Sequence, residues 1–286
     1  MRTDFYRFRL GDSECVSLCD GSADYELESM VTNAPRSDVV AALQAHGLPT
    51  GVIATPYAYL YVDTGKHKIL VDMGAGNLAP TTGRLLESMQ DAGLTPQEVE
   101  AIFITHAHPD HVGGTLNNVG EPNFPNANYF ICKVEWDFWF SEEAMVRPGE
   151  WFTNYARRNL APLRDKMVLL EQEEGILPGV NVLFAPGHTP GHMVVSFASR
   201  GERLLYTADT VLHPLHLDHP DWLPVFDILP EPAAVSKHRI FDLAALTGSW
   251  VLGQHFPPFP NLGHVVKKEI GWEWQPMEST DRNTTT

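Results

Sequence analysis

Basic residues are scarce: 20 lysines and arginines stand against 36 aspartates and glutamates, a formal charge of −16 over 286 residues. Such an imbalance repels phosphate backbones and anionic membranes, so neither nucleic acid nor a membrane surface is expected as a partner. Long apolar runs are missing too. No window approaches the roughly 20 apolar residues that a membrane span needs, and Met1-Arg-Thr-Asp-Phe5 carries charge where a secretory leader has a basic stretch and an apolar core. A protein of the cytoplasm is expected. Cysteine is limited to Cys15, Cys19 and Cys132, odd in number and at no metal-binding spacing, which excludes a disulfide framework and predicts buried thiols. No composition break or repeat divides the chain. Its length suits one α/β domain over 1–286, with 1–50 as an N-terminal extension packed on it and 276–286 as a flexible tail.

Short apolar runs alternate with helical spacing along most of the chain. Phe5–Leu10 and Val16–Leu18 suggest a hairpin, and Ser37 reads as the cap of a helix ending at Gly47. Tyr57–Val62 and Lys68–Asp72 read as strands joined by the turn Asp63-Thr-Gly65. A helix over Arg84–Ala92 precedes Glu100–His106, a buried strand that delivers its last residues to a loop. Strand Ala127–Cys132, two aromatic helical stretches around Trp136 and Trp151, four strands near Met167, Val180, Met193 and Arg203, helix Glu231–Leu246 and strand Ser249–Gln254 follow. This interleaving predicts sheets covered by helices, with a site in the loops at one edge.

Histidine is what the chain has in excess, 13 in all, and the sharpest cluster is Thr105-His-Ala-His-Pro-Asp-His-Val-Gly-Gly114. Imidazole and carboxylate are the ligands of borderline divalent ions such as zinc, and residues two apart on an extended segment point the same way. His106 and His108 can therefore share one ion. Asp110 and His111, around the turn, can address a second ion about 3.5–4 Å away, the separation of two-metal hydrolytic sites. Gly113 and Gly114 allow close backbone approach. A single histidine is more often a surface or core residue than a ligand, but four ligand-type residues in six positions are not explained that way.

Arranged as H-x-H-x-D-H after an apolar strand, these residues resemble the metallo-β-lactamase superfamily, and the resemblance runs from about Tyr57 to His264. It implies a four-layer αββα sandwich of the α/β class and two divalent ions, most simply zinc, with manganese, cobalt or iron also accepted by the donors. Ala185-Pro-Gly-His188 is similar to the motif that supplies the third histidine of the first ion, Tyr206-Thr-Ala-Asp209 to the one that supplies the bridging carboxylate, and Gly253-Gln-His255 to the last. The implied ligands are His106, His108, Asp110, His111, His188, Asp209 and His255. Asp72, in Ile69-Leu-Val-Asp72, would orient the histidine loop without touching metal, and His192 is also left outside the ligand set.

The resemblance implies hydrolysis by a hydroxide held between the ions, with Asp110 and Asp209 as the catalytic carboxylates. It is strongest toward lactonases, arylesterases and methyl-parathion-hydrolase-like enzymes, through Gly187–His192, Ala208–Val211 and His255–His264. An apolar or aromatic lactone or aryl ester is therefore the expected substrate, with phosphotriester cleavage as a side activity. Acyl-homoserine lactonases often carry tyrosine three residues after the bridging aspartate; Leu212 stands there, which disfavours quorum-signal lactones. The alternatives are a hydroxyacylglutathione-type thioesterase, although the C-terminal part has no basic cluster for glutathione, a di-iron redox enzyme, and a non-catalytic metal-binding protein. Trp139, Phe140, Trp151, Leu212, His213 and His264 are the candidate pocket residues, His264 reaching the substrate from a rigid Pro-rich loop, His255–His264. The aromatics between the first two histidine motifs fit a substrate pocket, a core or a homodimer seam equally.

Overall fold

A computed structural model describes residues 4–173 and 175–277. Among them the first half of the chain forms a seven-stranded sheet in sequence order: β1 (Phe5–Leu10), β2 (Ser13–Tyr25), β3 (Ile53–Asp63), β4 (Lys68–Val71), β5 (Ala101–Ile104), β6 (Asn128–Cys132) and β7 (Met167–Leu170). The second half forms another: β8 (Gly175–Leu177), β9 (Val180–Phe184), β10 (Met193–Ser199), β11 (Glu202–Tyr206), β12 (Trp250–Leu252), β13 (Leu262–Lys267) and β14 (Trp272–Pro276), again paired in chain order. β4 to β7 run parallel, as do β11 and β12, because a helix or long loop separates each pair; the hairpins elsewhere are antiparallel.

Strand alternation builds the layers. Leu60, Val62, Ile69, Val71 and Phe103 point between the sheets, where they meet Val180, Val182, Val195, Phe197 and Leu204. Their neighbours Tyr59, Tyr61, Leu70, Ile102 and Ile104 point the other way, under the helices Leu85–Asp91, Lys133–Trp139 and Glu150–Leu160. Ile240, Phe241 and Ala244 of the helix Pro230–Thr247 cover the outer face of the second sheet over Val194, Leu205 and Val251. Strands buried on both faces are nearly continuous in apolar residues, as β4 and β5 are. The result is the expected αββα sandwich.

Some expectations need correction. Residues 5–25 are the two outer strands of the first sheet, β2 pairing with β3 from Glu14↔Asp63 to Tyr25↔Ile53, rather than an appendage. Ser37 does not cap its helix: Arg36–Ala45 starts after Pro35, and the Ser37 hydroxyl bonds Asp38. The stretch His255–His264, expected as a Pro-rich loop, runs into β13, whose pairing with β12 depends on tertiary contact rather than on local pattern. Of the expected tail, Pro276 ends β14, and residues 278–286 lie outside the described residues. Cys15 and Cys132 are buried and Cys19 is half-buried. Trp136, Phe138 and Trp139 are buried within the chain, so these three aromatics give no argument for a dimer. Among the described residues no helix is long and apolar enough to cross a membrane.

Candidate metal centre

β4, β5, β9, β11 and β12 all deliver their C-terminal ends to one edge of the sandwich, and the loops there carry the histidines and aspartates. Two groups of potential metal-binding donors form: His106, His108 and His188, and Asp110, His111, Asp209 and His255. Within each group the donor atoms lie within 4.8 Å of one another. In the first, His108 Nδ1 is 2.8 Å from His188 Nε2 and 3.2 Å from His106 Nε2. Asp209 lies between the groups. Its Oδ2 is 3.2 Å from His188 Nε2, while its Oδ1 is 3.3 Å from both His111 Nε2 and His255 Nε2. Asp110 Oδ2 is 3.3 Å from His255 Nε2 on the far side.

The donor set fits divalent cations. All seven side chains are buried, and His111 Nε2 and Asp209 Oδ1 have no hydrogen-bond partner although neither reaches solvent. Buried polar atoms left unpaired are costly, and a shared cation satisfies imidazole lone pairs and carboxylates together. Burial presses Asp209 toward its neutral form, yet His255 and His111 hold its pKa well below the carboxylate range. Burial, reinforced by neighbouring imidazoles, keeps His106 and His108 far below the usual histidine value, hence neutral with lone pairs to offer.

The supporting shell is hydrogen-bonded. Asp72, with its backbone in the left-handed region at φ 61°, accepts the Thr105 N–H and hydroxyl and the Nδ1–H of His111, each at 2.8 Å. That bond leaves Nε2 of His111 as the free donor atom facing Asp209. His192 belongs to neither group; its Nε2 accepts the Asp209 N–H at 3.2 Å. Gly113 and Gly114 do permit close approach, since a Cβ on either would lie 2.1 Å from a carbonyl oxygen, of Ala75 and Met73 respectively.

Several contributors were not anticipated. Asp227 accepts Nδ1–H of His188 at 2.9 Å from 39 residues away, so that His188 also presents Nε2. Glu135 binds the backbone of both histidine loops. Tyr25 and Tyr57 pair through their hydroxyls at 2.5 Å, and the Tyr57 ring packs edge-on against His255 at 4.8 Å. An isolated Asp or Glu in sequence looks like surface charge, and nothing local marks these as otherwise.

A cavity of about 260 Å³ opens over the two groups. Trp151 and Leu212 line it, together with Met30, Leu78, Phe152 and Phe226. The other candidate pocket residues do not. Trp139 is fully buried behind His108, ring centroids 5.7 Å apart, and Phe140 stacks on Trp136. His213 is buried and accepts the Leu215 N–H. His264, on β13, lies 4.0 Å from the Trp250 ring with Nδ1 at the Ser249 carbonyl. Each is held by packing that faces away from the cavity.

Comparison with known proteins agrees with this geometry. N-acyl homoserine lactonases are similar: that of Bacillus cereus is 25% identical over 109 residues, 38% of this chain and 37% of the relative. AttM of Rhizobium johnstonii is 27% identical over 187 residues, 60% of this chain and 64% of its own. The chain thus aligns with less than two thirds of the length of these curated relatives. Solved structures match more fully. AidC, a dizinc quorum-quenching lactonase solved with its product N-hexanoyl-L-homoserine, has a TM-score of 0.90 at 30% identity, covering 96% of this chain and 97% of AidC. The hydrolase AbOPH of the beta lactamase superfamily has a TM-score of 0.89 at 27% identity, covering 97% and 99%. Residues 54–255, which contain every one of the seven donors, match the family description itself, and the chain belongs to the metallo-beta-lactamase superfamily.

Proposed function

We propose that this protein is a dinuclear metal-dependent hydrolase that opens a neutral lactone, or cleaves an aryl ester, bearing an apolar acyl or aryl portion. Asp209 carries the proposal: one carboxylate turns an oxygen toward each of two donor groups at the floor of an apolar cavity. His106, His108 and His188 would hold one ion and Asp110, His111 and His255 the other, with Asp209 shared. When bound there, two divalent ions would supply a water with its pKa lowered toward about 7 and a polarised scissile carbonyl.

The chain's own groups supply the rest. Asp110 lines the cavity floor, where its carboxylate can accept a proton and return it to the leaving oxygen. Tyr25 and Tyr57 face the same floor. Burial and the nearby Asp110 raise their pKa values, so both keep their protons; one hydroxyl donates to the other, and the proton left free can be donated to a substrate oxygen. Trp151, Phe152, Leu212 and Phe226 exclude water and receive the apolar part of the substrate.

Substrate charge is constrained by the lining. Among the described residues no lysine or arginine lines the cavity, while Asp24 does, so the distal carboxylates of a substrate such as a glutathione thioester find no counter-charge away from the ion site. A neutral lactone, aryl ester or phosphotriester does not need one. Leu212 argues against quorum-signal lactones, but the likeness to AidC at 30% identity favours them, and Tyr25 and Tyr57 offer phenols in the same cavity. Acyl lactones are therefore the leading substrate class. Zinc is the favoured metal and the cytoplasm the favoured compartment, the latter supported by the buried thiols Cys15 and Cys132.

The test is a turnover screen of metal-stripped protein re-supplied with zinc, manganese, cobalt or iron singly, over acyl lactones, aryl esters, thioesters and phosphotriesters. Metal-dependent lactone opening is expected. Two iron atoms that cycle between oxidation states with no ester or lactone turnover would refute the proposal.

A further inference from the structure

Glu135 lies in the first turn of the helix Lys133–Trp139, is fully buried, and touches no donor atom of either histidine–aspartate group. Four donors converge on its carboxylate. Oε1 accepts the Ala107 N–H at 3.0 Å and the Trp139 indole N–H at 2.6 Å. Oε2 accepts the Thr189 hydroxyl at 2.6 Å and the Gly191 N–H at 2.9 Å. Ala107 stands between His106 and His108, and Thr189 follows His188 directly. A single side chain therefore fastens both loops from which the three histidines of the first group come.

The contact is built closely. A Cβ on Gly191 would sit 2.2 Å from the Glu135 nitrogen, so only glycine lets that loop reach the carboxylate. Trp139 adds a second link, since its ring meets His108 edge-on while its indole N–H is held by Glu135. An ionised carboxylate accepts all four bonds; an amide would turn donors toward donors and lose some of them. Burial pushes the Glu135 pKa up, and each of these four donors pulls it back.

We propose that Glu135 is a positioning residue for the three-histidine ion site, setting the separation of the 105–108 and 188–191 loops at which His106, His108 and His188 converge. This rests on the reading of the site as a metal centre. Asp20 offers the contrast: it is equally buried and accepts the backbone N–H groups of Ala75, Gly83 and Leu85, none of them on those two loops.

The full chain and its Glu135→Gln, Thr189→Val and Asp20→Asn variants are loaded with zinc. The two stepwise affinities are then measured by chelator competition, with thermal melting in parallel. Glu135→Gln should weaken one of the two steps about 10- to 100-fold, leaving the other within about threefold. Thr189→Val, which removes one donor of four and keeps the carboxylate, should weaken the same step less and serves if Glu135→Gln does not fold. Asp20→Asn should lower the melting temperature without selecting one step. The inference is overturned if both affinities survive in the Glu135 and Thr189 variants, or if Asp20→Asn gives the same one-step loss. Wild-type protein that takes up no zinc would overturn the metal-centre reading and this inference with it; wild type that binds two ions beside variants that keep both would overturn only the role of Glu135.

Discussion

Asp209 is the side chain on which the two donor groups depend in common, since His188 faces one of its oxygens and His111 and His255 the other. Replacing it with alanine should abolish turnover and weaken both ions together, by about 100-fold or more, as read by metal content after dialysis against a chelator. Retention of both ions would contradict its shared role. The tryptophans separate in a similar way. Trp151 is 56% exposed and lines the cavity, so Trp151→Ala should change the preference between long-chain or aromatic and short-chain substrates while stability stays within about 0.5 kcal/mol. Trp139 is buried, and Trp139→Ala should cost about 3–5 kcal/mol in urea unfolding. Equal melting temperatures for the two variants would contradict this division.

Among the elements, the loop that carries His188 is held from two sides. Glu135 grips it from the helix Lys133–Trp139, and the helix Pro230–Thr247 closes on it from the other, with Leu229 N–H bonding Gly187 O at 2.8 Å and Ile228 N–H bonding His188 O at 3.1 Å. Gly187 sits at φ 144°, where a Cβ would lie 2.1 Å from Ala233 Cα in that helix. Gly187→Ala should therefore destabilise the fold by about 2–4 kcal/mol, because backbone on both sides must shift. An unchanged urea midpoint would mean that the helix yields freely. The segment Asp218–Asp227 owes its importance to the same arrangement: it shows no periodicity, yet its last residue orients His188.

For the molecule as a unit, the buried ammonium of Lys237 couples stability to pH. It donates to the carbonyl oxygens of Pro220 and Trp222, and burial lowers its pKa to about 8 from the ordinary lysine value of 10.5. A lysine whose folded pKa is depressed opposes folding fully below about pH 8, where both states are charged, and the opposition fades as pH rises toward 10.5, where the unfolded state also loses its proton. Lys237→Met removes this dependence. The stability of wild type relative to Lys237→Met should accordingly rise by about 2 kcal/mol between pH 8 and pH 10 in urea titrations. A difference that does not change across that window would show that Lys237 is not desolvated in the folded state.

How much was legible in advance follows from the distance over which each feature acts. The H-x-H-x-D-H run is compact because a strand end and one turn are enough to aim His106, His108, Asp110 and His111, and strands buried on both faces announce themselves as apolar runs. Resemblance supplied His188, Asp209 and His255 from their own short motifs. Which side of an aromatic helix faces a cavity is not a local property, and so Trp139 and Phe140 were expected in a pocket from which packing keeps them. His264 was expected in a loop and lies on a strand, since β13 exists through its pairing with β12. The chain alone carried the first four donor residues and the shortage of basic residues, which follow from pattern and composition, and through its resemblance the αββα fold and the other three donors. Folding assigned the partners that arrive from afar, Glu135 and Asp227 on the histidine loops and Tyr25 beside Tyr57, because a buried carboxylate or phenol acquires its role from the donors and acceptors brought against it across 28 to 56 residues of chain.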